Sequence, residues 1–234
     1  AAMVRHALRL PATARAHEGP AGTTDMGRTA VAIQLHRNDL PGDLDLGSLV
    51  AVDSETMGLN LVRDRLCLVQ LSAGDGNVHL VQFVDGDYSA PNLRALLRDP
   101  KVTKIFHYAR FDLAMFEAHF GEPTGPVYCT KTASKLVRTY TDRHGLKDLC
   151  KELLGIDMSK QQQSSDWGAA ELTAEQMTYA ASDVLYLHQI KDVLDSRLAR
   201  ENRAELAQQI FDFLPVRARL DLLGWSEVDI FAHS

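Results

Sequence analysis

The chain has 234 residues, enough for one α/β domain with a real core and too few for two large ones. Hydrophobic residues make up 45% of it, which predicts a packed globule and excludes a disordered chain. A net charge of −6 excludes a protein that wraps long nucleic acid by bulk electrostatics. It leaves room for a short phosphate substrate, because a carboxylate-lined metal site is acidic until its cations bind.

Residues 1–28 carry Arg5, Arg9, Arg15, Pro11 and Pro20 without apolar periodicity. They read as a disordered extension or a cloning remnant; their Arg-rich, acid-poor composition also suits a transit peptide. Residues 29–234 read as a single domain. No apolar run reaches the length of a membrane span. Cys67, Cys129 and Cys150 lack CxxC spacing and read as buried thiols of a reducing cytoplasm.

Residues 49–52 predict a buried strand that ends at Asp53. Two further strands, over 66–71 and 78–83, flank a Gly-Asp-Gly-Asn turn at 74–77. A short helix follows from Pro91 to about Asp99, a strand over 102–107 and a helix over 111–120, stopped by Gly121 and Pro123. A strand at 127–129 feeds a helix from Thr130 to about Tyr140. Leu146, Leu149, Cys150, Leu153 and Leu154 share one helical face, and Gly155 ends that helix. After a polar loop at 160–167, a long helical region starts near Thr173 and buries Leu187, Ile190, Leu194 and Leu198. Residues 211–231 are rich in large apolar groups. Three antiparallel strands, then alternating helix and strand, predict a mixed sheet with helices on both faces.

Alternation along a strand sends Asp53 and Glu55 to one side. Two carboxylates so placed repel each other unless a cation lies between them. Tyr179 and Asp183, four apart, share a helix face, and Asp112 stands in the first turn of another helix. Each feature alone is ordinary: a solvated strand end, a surface Tyr–Asp pair, an acid favoured by the helix dipole. Together they supply what two divalent cations, magnesium or manganese, and an attacking water need for phosphodiester hydrolysis.

The order Asp-x-Glu, then Phe-Asp in a helix, then Tyr-x-x-x-Asp is similar to the tyrosine branch of the DEDD 3′–5′ exonucleases (DEDDy). Thr178 stands where the histidine branch would carry its base. Residues 65–71 and Ser165-Asp166-Trp167 resemble ribonuclease D. Residues 131–136, 138–147, 160–167 and 221–227 are more similar still to the nanoRNase C family of short bacterial relatives. The resemblance covers about 32–234. It implies a ribonuclease H-like (DnaQ-like) α/β fold. It also implies that Asp53, Glu55 and Asp183 hold the cation that activates water, that Asp53 and Asp112 hold a second, and that Tyr179 orients the nucleophile.

Ribonuclease D proper carries further helical domains, and this chain stops soon after the catalytic core. That favours very short RNA, chiefly 5′-phosphorylated dinucleotides, cut to 5′-mononucleotides, with weaker action on DNA. Leu59, in Asp-Ser-Glu-Thr-Met-Gly-Leu, resembles the leucine that oligoribonuclease wedges between two bases. Substrate contacts are expected from Thr56, Leu59 and His107. A 5′-phosphate cap is expected from Lys131 and Arg138 on a helix stripe shared with Lys135, from Arg143, His144 and Lys147, and from Gln163 and Ser164. The apolar C-terminal stretch packs back on the core or meets another subunit, and the resemblance implies a ring-like homo-octamer in the cytoplasm.

Three rival readings are weaker. One is a ribonuclease D-like exonuclease acting on longer RNA or DNA ends. Another is a nucleotide-binding or scaffold protein with a dead exonuclease fold, which predicts a missing acid; all four are present. The third, a glycosidase, leaves separated acid positions without a role.

Overall fold

The computed structural model describes residues 6–7, 31–158 and 165–233. Its seven strands are β1 (His6–Ala7), β2 (Ala32–Arg37), β3 (Leu49–Thr56), β4 (Leu66–Ser72), β5 (Asn77–Gln82), β6 (Thr103–Phe106) and β7 (Val127–Cys129). They form one sheet in the order β1-β2-β5-β4-β3-β6-β7. β3, β4 and β5 run antiparallel, as the turn at 74–77 predicts, while β6 and β7 extend the sheet in parallel beyond β3. The remainder of the 1–28 segment lies outside the described residues; His6 and Ala7 pair antiparallel with Ile33 and Ala32. β2, which joins β5 in parallel, adds a strand to those predicted from the sequence.

The central strand β4 is buried along its whole length, which explains its nearly continuous apolar sequence. β3 divides in two. Val50, Ala51 and Val52 are fully buried, whereas Asp53 to Thr56 are only partly so. The acids thus stand where the strand leaves the core, and the pairing with β4 shifts register between Glu55 and Thr56.

The helices are α1 (Pro91–Arg98), α2 (Ala109–Phe120), α3 (Thr130–Val137), α4 (Leu146–Leu149), α5 (Ala174–Leu185), α6 (Leu187–Arg200) and α7 (Ala204–Leu220). α5 packs on β3, β4 and β5, α2 packs on α7, and α3 packs on α6. The sheet is flanked by helices in the expected ribonuclease H-like arrangement.

Three helices depart from the expected pattern. The long region after Thr173 breaks at Tyr186 into α5 and α6. The helix begun at Leu146 widens into a π-turn over Cys150–Leu154 before Gly155 (φ 71°) ends it. α7 starts well before the apolar stretch and carries Pro215 in its interior, a residue that ordinarily argues against a helix.

α3 stops at Val137 rather than near Tyr140, and Arg138 explains why. Its side chain is fully buried, not on an exposed stripe with Lys131 and Lys135. Its guanidinium pairs with Glu152 and donates to the Ser134 hydroxyl (2.9 Å) and the Arg143 carbonyl (2.6 Å). Tyr140 also donates to Glu152. This network ties the 138–145 loop to the turn after α4. Glu152→Ala should lower stability by about 2 kcal/mol, because it leaves the fully buried Arg138 guanidinium without its counter-ion, a carboxylate that is itself 39% exposed. Urea unfolding would measure it, and a loss below about 0.5 kcal/mol, that of an exposed pair, would contradict the role of Glu152 as counter-ion to a buried charge.

Candidate active site

Asp53 and Glu55 project from the open end of β3. α5 crosses β3–β5 and delivers Asp183 to them; one ligand oxygen from each of the three acids lies within 4.8 Å of the others. Ala180 and Ala181 are buried, and such small residues let α5 approach the sheet closely. The helix is anchored at its start by a capping box, in which Gln176 N–H donates to the Thr173 hydroxyl (3.2 Å) and Gln176 Oε1 accepts from Thr173 N–H (2.9 Å). Gln176 Nε2 also donates to the Asp166 carbonyl (3.0 Å). Tyr179 lies one turn before Asp183, with its ring 6.1 Å from that of Trp167. Thr178 donates its hydroxyl to the Ala174 carbonyl (2.7 Å).

Asp112 comes from the first turn of α2 and is 4% exposed. Ser54 donates its hydroxyl to Asp112 Oδ1 at 2.6 Å. Since Ser54 lies between Asp53 and Glu55 on the strand, its side chain leaves by the opposite face. Sequence reasoning missed Ser54; its one signal was a hydroxyl set between the two acids.

All four carboxyl groups are pushed above the ordinary carboxylate range. Burial is the largest cause for each. The charges of Asp112, Asp183 and Glu55 raise Asp53 further; those of Asp183 and Asp112 lift Glu55 to about 9. Asp112 and Asp183 are raised to about 7, Asp112 by burial against the pull of its bond from Ser54. Burial and the neighbouring carboxylates also push the Tyr179 phenol up. None of the four acids takes part in an ion pair with a basic side chain among the described residues. A donor set of oxygens alone, with its repulsion unrelieved by protein cations, fits hard divalent cations.

The loop after β3 holds Leu59 at 84% exposure. Thr56 closes that turn by donating to the Gly58 carbonyl, and Asp64 accepts from Asn60 N–H at 2.9 Å. A Cβ at Gly58 would fall 2.3 Å from Asp64 Oδ2, so a side chain there would have to displace the Asp64 carboxylate.

His107, Lys131 and His144 form a second group. Thr130 Oγ1 and His107 Nδ1 are 2.9 Å apart, as are Ser134 Oγ and His144 Nδ1. Lys131 lies 4.2 Å over the ring of Tyr108, whose φ of 74° turns the chain from β6 into α2. Burial, then the charge of Lys131, pushes His107 down to about 3, with His144 adding to it; His144 is itself lowered by burial, Arg138 and Lys135. Arg143 and Lys147 are exposed nearby in sequence. Gln163 and Ser164 lie outside the described residues.

The chain matches the family described as 3′-5′ exonuclease over residues 36–199, a span that includes all four acids and Tyr179. NrnC of Brucella melitensis, in a structure bound to pGG, is 57% identical with a TM-score of 0.84, covering 86% of this chain and 98% of that one. The same protein with bound Mg2+ is 56% identical with a TM-score of 0.83, covering 86% and 99%. Ribonuclease D of Gluconacetobacter diazotrophicus is 36% identical over 156 residues, 67% of this chain and 39% of the relative. The chain thus spans about two fifths of the length of the curated relatives it matches first.

Raised carboxyl values set the sign of a pH dependence. Between about pH 4 and 9 the unfolded chain has lost these protons while the metal-free folded chain keeps some, so stability falls as pH rises. The metal-free melting temperature should therefore drop from pH 5 to pH 8, and Mn2+ should raise it more at pH 8 than at pH 5. Calorimetry showing equal metal stabilisation at both pH values would contradict this. With its acids gathered at the end of one strand, and the family match running through them, the chain belongs to the 3′-5′ exonuclease family, in the group that includes NrnC.

Proposed function

We propose that this protein is a metal-dependent 3′–5′ exoribonuclease of very short oligoribonucleotides, chiefly 5′-phosphorylated dinucleotides, which it cuts to 5′-mononucleotides. The observation that carries the substrate reading is Leu59, a large apolar side chain held 84% exposed on a braced loop beside Asp53 and Glu55. Water does not favour such a placement, and insertion between two bases would bury it. The match to a relative solved with pGG, a dinucleotide by its formula, supports the same reading.

Asp53, Glu55 and Asp183 would hold one cation, and Asp53 with Asp112 a second, magnesium or manganese in each case. When bound, such ions supply a nucleophilic water near neutral pH and balance charge on the attacking and leaving oxygens. The residues do the rest. Ser54 holds the Asp112 carboxylate in one orientation. The Tyr179 phenol, raised by burial and then by the neighbouring carboxylates, stays protonated and acts as a hydrogen-bond donor that orients water rather than as a base. Burial and the charge of Lys131 lower His107, and burial, Arg138 and Lys135 lower His144, so basic side chains converge here; with Arg143 and Lys147 they would receive the terminal 5′ phosphate. Arg138 serves this cap by holding the Arg143 carbonyl rather than by touching substrate.

A homo-octamer in the cytoplasm completes the proposal. Leu206, Val216, Leu223, Trp225 and Phe231 leave apolar surface exposed along α7 and after it, and a further subunit would cover it. Among the described residues no helix is long and apolar enough to cross a membrane.

A series of 5′-phosphorylated RNAs from two to seven nucleotides, incubated with magnesium, tests the substrate reading. The two-mer should turn over at least about 10-fold faster than the seven-mer, and Asp112→Ala should abolish both. Equal rates at every length would overturn the dinucleotide claim. Leu59→Ala should slow the two-mer by about 10-fold, the worth of one lost apolar contact. Arg143→Ala and Lys147→Ala should cost more on the two-mer than on the seven-mer; equal losses would remove the cap.

A further inference from the structure

Every residue of β4 is buried, and Gln70 is the one amide among them, with no exposed surface. Neither its nitrogen nor its oxygen has a hydrogen-bond partner among the described residues. An amide so placed is unfavourable unless another group answers it, and an apolar side chain of the same volume would avoid the cost.

Its register supplies the answer. Gln70 stands directly opposite Asp53 across the antiparallel β3–β4 pair. Opposed residues in such a pair project to the same face, with Cβ atoms about 4.5–5.5 Å apart. Gln70 therefore lies on the face of the sheet that carries Asp53 and Glu55 and that α5 covers with Asp183 and Tyr179. A second buried polar group covers the same face. Gln82 of β5, opposite Leu68, donates to the Ala169 carbonyl at 2.8 Å, so the loop over 166–171 lies across these strands. Trp167 of that loop is 3% exposed, and its indole N–H is also unpaired. The Gln70 amide, the Trp167 indole N–H and the Gln82 side-chain oxygen, which is unpaired as well, thus belong to the layer that underlies the acids.

We propose that Gln70 is a positioning residue for Asp53: its amide donates to the Asp53 carboxylate, directly or through one water, when that carboxylate is ionised and holding a cation. The proposal rests on the reading of Asp53 as a metal ligand. A group that orients a ligating carboxylate fixes the geometry offered to the ion without touching substrate.

Gln70→Leu tests it, with Gln70→Met as a second apolar replacement should the branched side chain fail to fold. The dissociation constant for Mn2+ measured by calorimetry on the protein without substrate should rise about 10-fold or more. The melting temperature of the metal-free variant should be unchanged or higher, because the unpaired amide is gone. At saturating Mn2+ the KM for dinucleotide should stay within about twofold of the wild type, as expected of a residue that leaves substrate untouched. Mn2+ affinity within about twofold of wild type in the folded variant would overturn the proposal. Asp53→Asn separates the two failures: if it binds Mn2+ as tightly as the wild type, the metal site itself is wrongly assigned; if it loses Mn2+ while Gln70→Leu does not, only the role of Gln70 falls.

Discussion

Mutual repulsion among Asp53, Glu55, Asp112 and Asp183 is the constraint around which the rest of the fold is arranged. Four carboxyl groups partly or, for Asp112, almost wholly withdrawn from water near the end of one strand are unfavourable for folding on their own. No lysine or arginine relieves them among the described residues. The fold must therefore hold them together by packing. It does so with a fully buried β4 behind β3, alanines beneath α5, and a capping box that fixes where α5 begins. That arrangement costs stability in the metal-free chain, and under the proposed function it would return it as affinity for cations.

Around this centre the chain keeps two kinds of surface. On one side a braced loop, closed by Thr56, Gly58 and Asp64, presents an apolar leucine. On another, His107 and His144 stand close enough to Lys131, Lys135 and Arg138 for those charges to add to the lowering that burial begins. Arg138 belongs to neither surface. Buried against Glu152, it keeps the second surface in place, and a charge that reads as substrate-facing in the sequence is thus spent on the scaffold.

Strand and helix periodicity made legible which side chains share a face, i and i+2 for Asp53 and Glu55 and i and i+4 for Tyr179 and Asp183, and the structure brings Asp53, Glu55 and Asp183 together. The meander of β3 to β5 was legible from its Gly-rich turn. Less so were features that depend on distant partners. Arg138 looks solvent-facing at i+7 from Lys131 until Glu152, fourteen residues on, takes its charge. The break at Tyr186 and the widening at Cys150–Leu154 leave no mark in the spacing of apolar residues. α7, with Pro215 in its interior, lay unread behind an apolar stretch noted only from residue 211. Ser54 offered only a hydroxyl between two acids, and it matters through a bond to α2; Gln70 matters through a strand register.

Anomalous diffraction from crystals soaked in manganese tests the central claim most directly. Strong peaks should appear among the carboxylates of Asp53, Glu55 and Asp183 and beside Asp112, and should vanish in Asp53→Asn. Well-ordered crystals that show no anomalous density at these oxygens, from a protein still able to cleave RNA in manganese, would contradict the account.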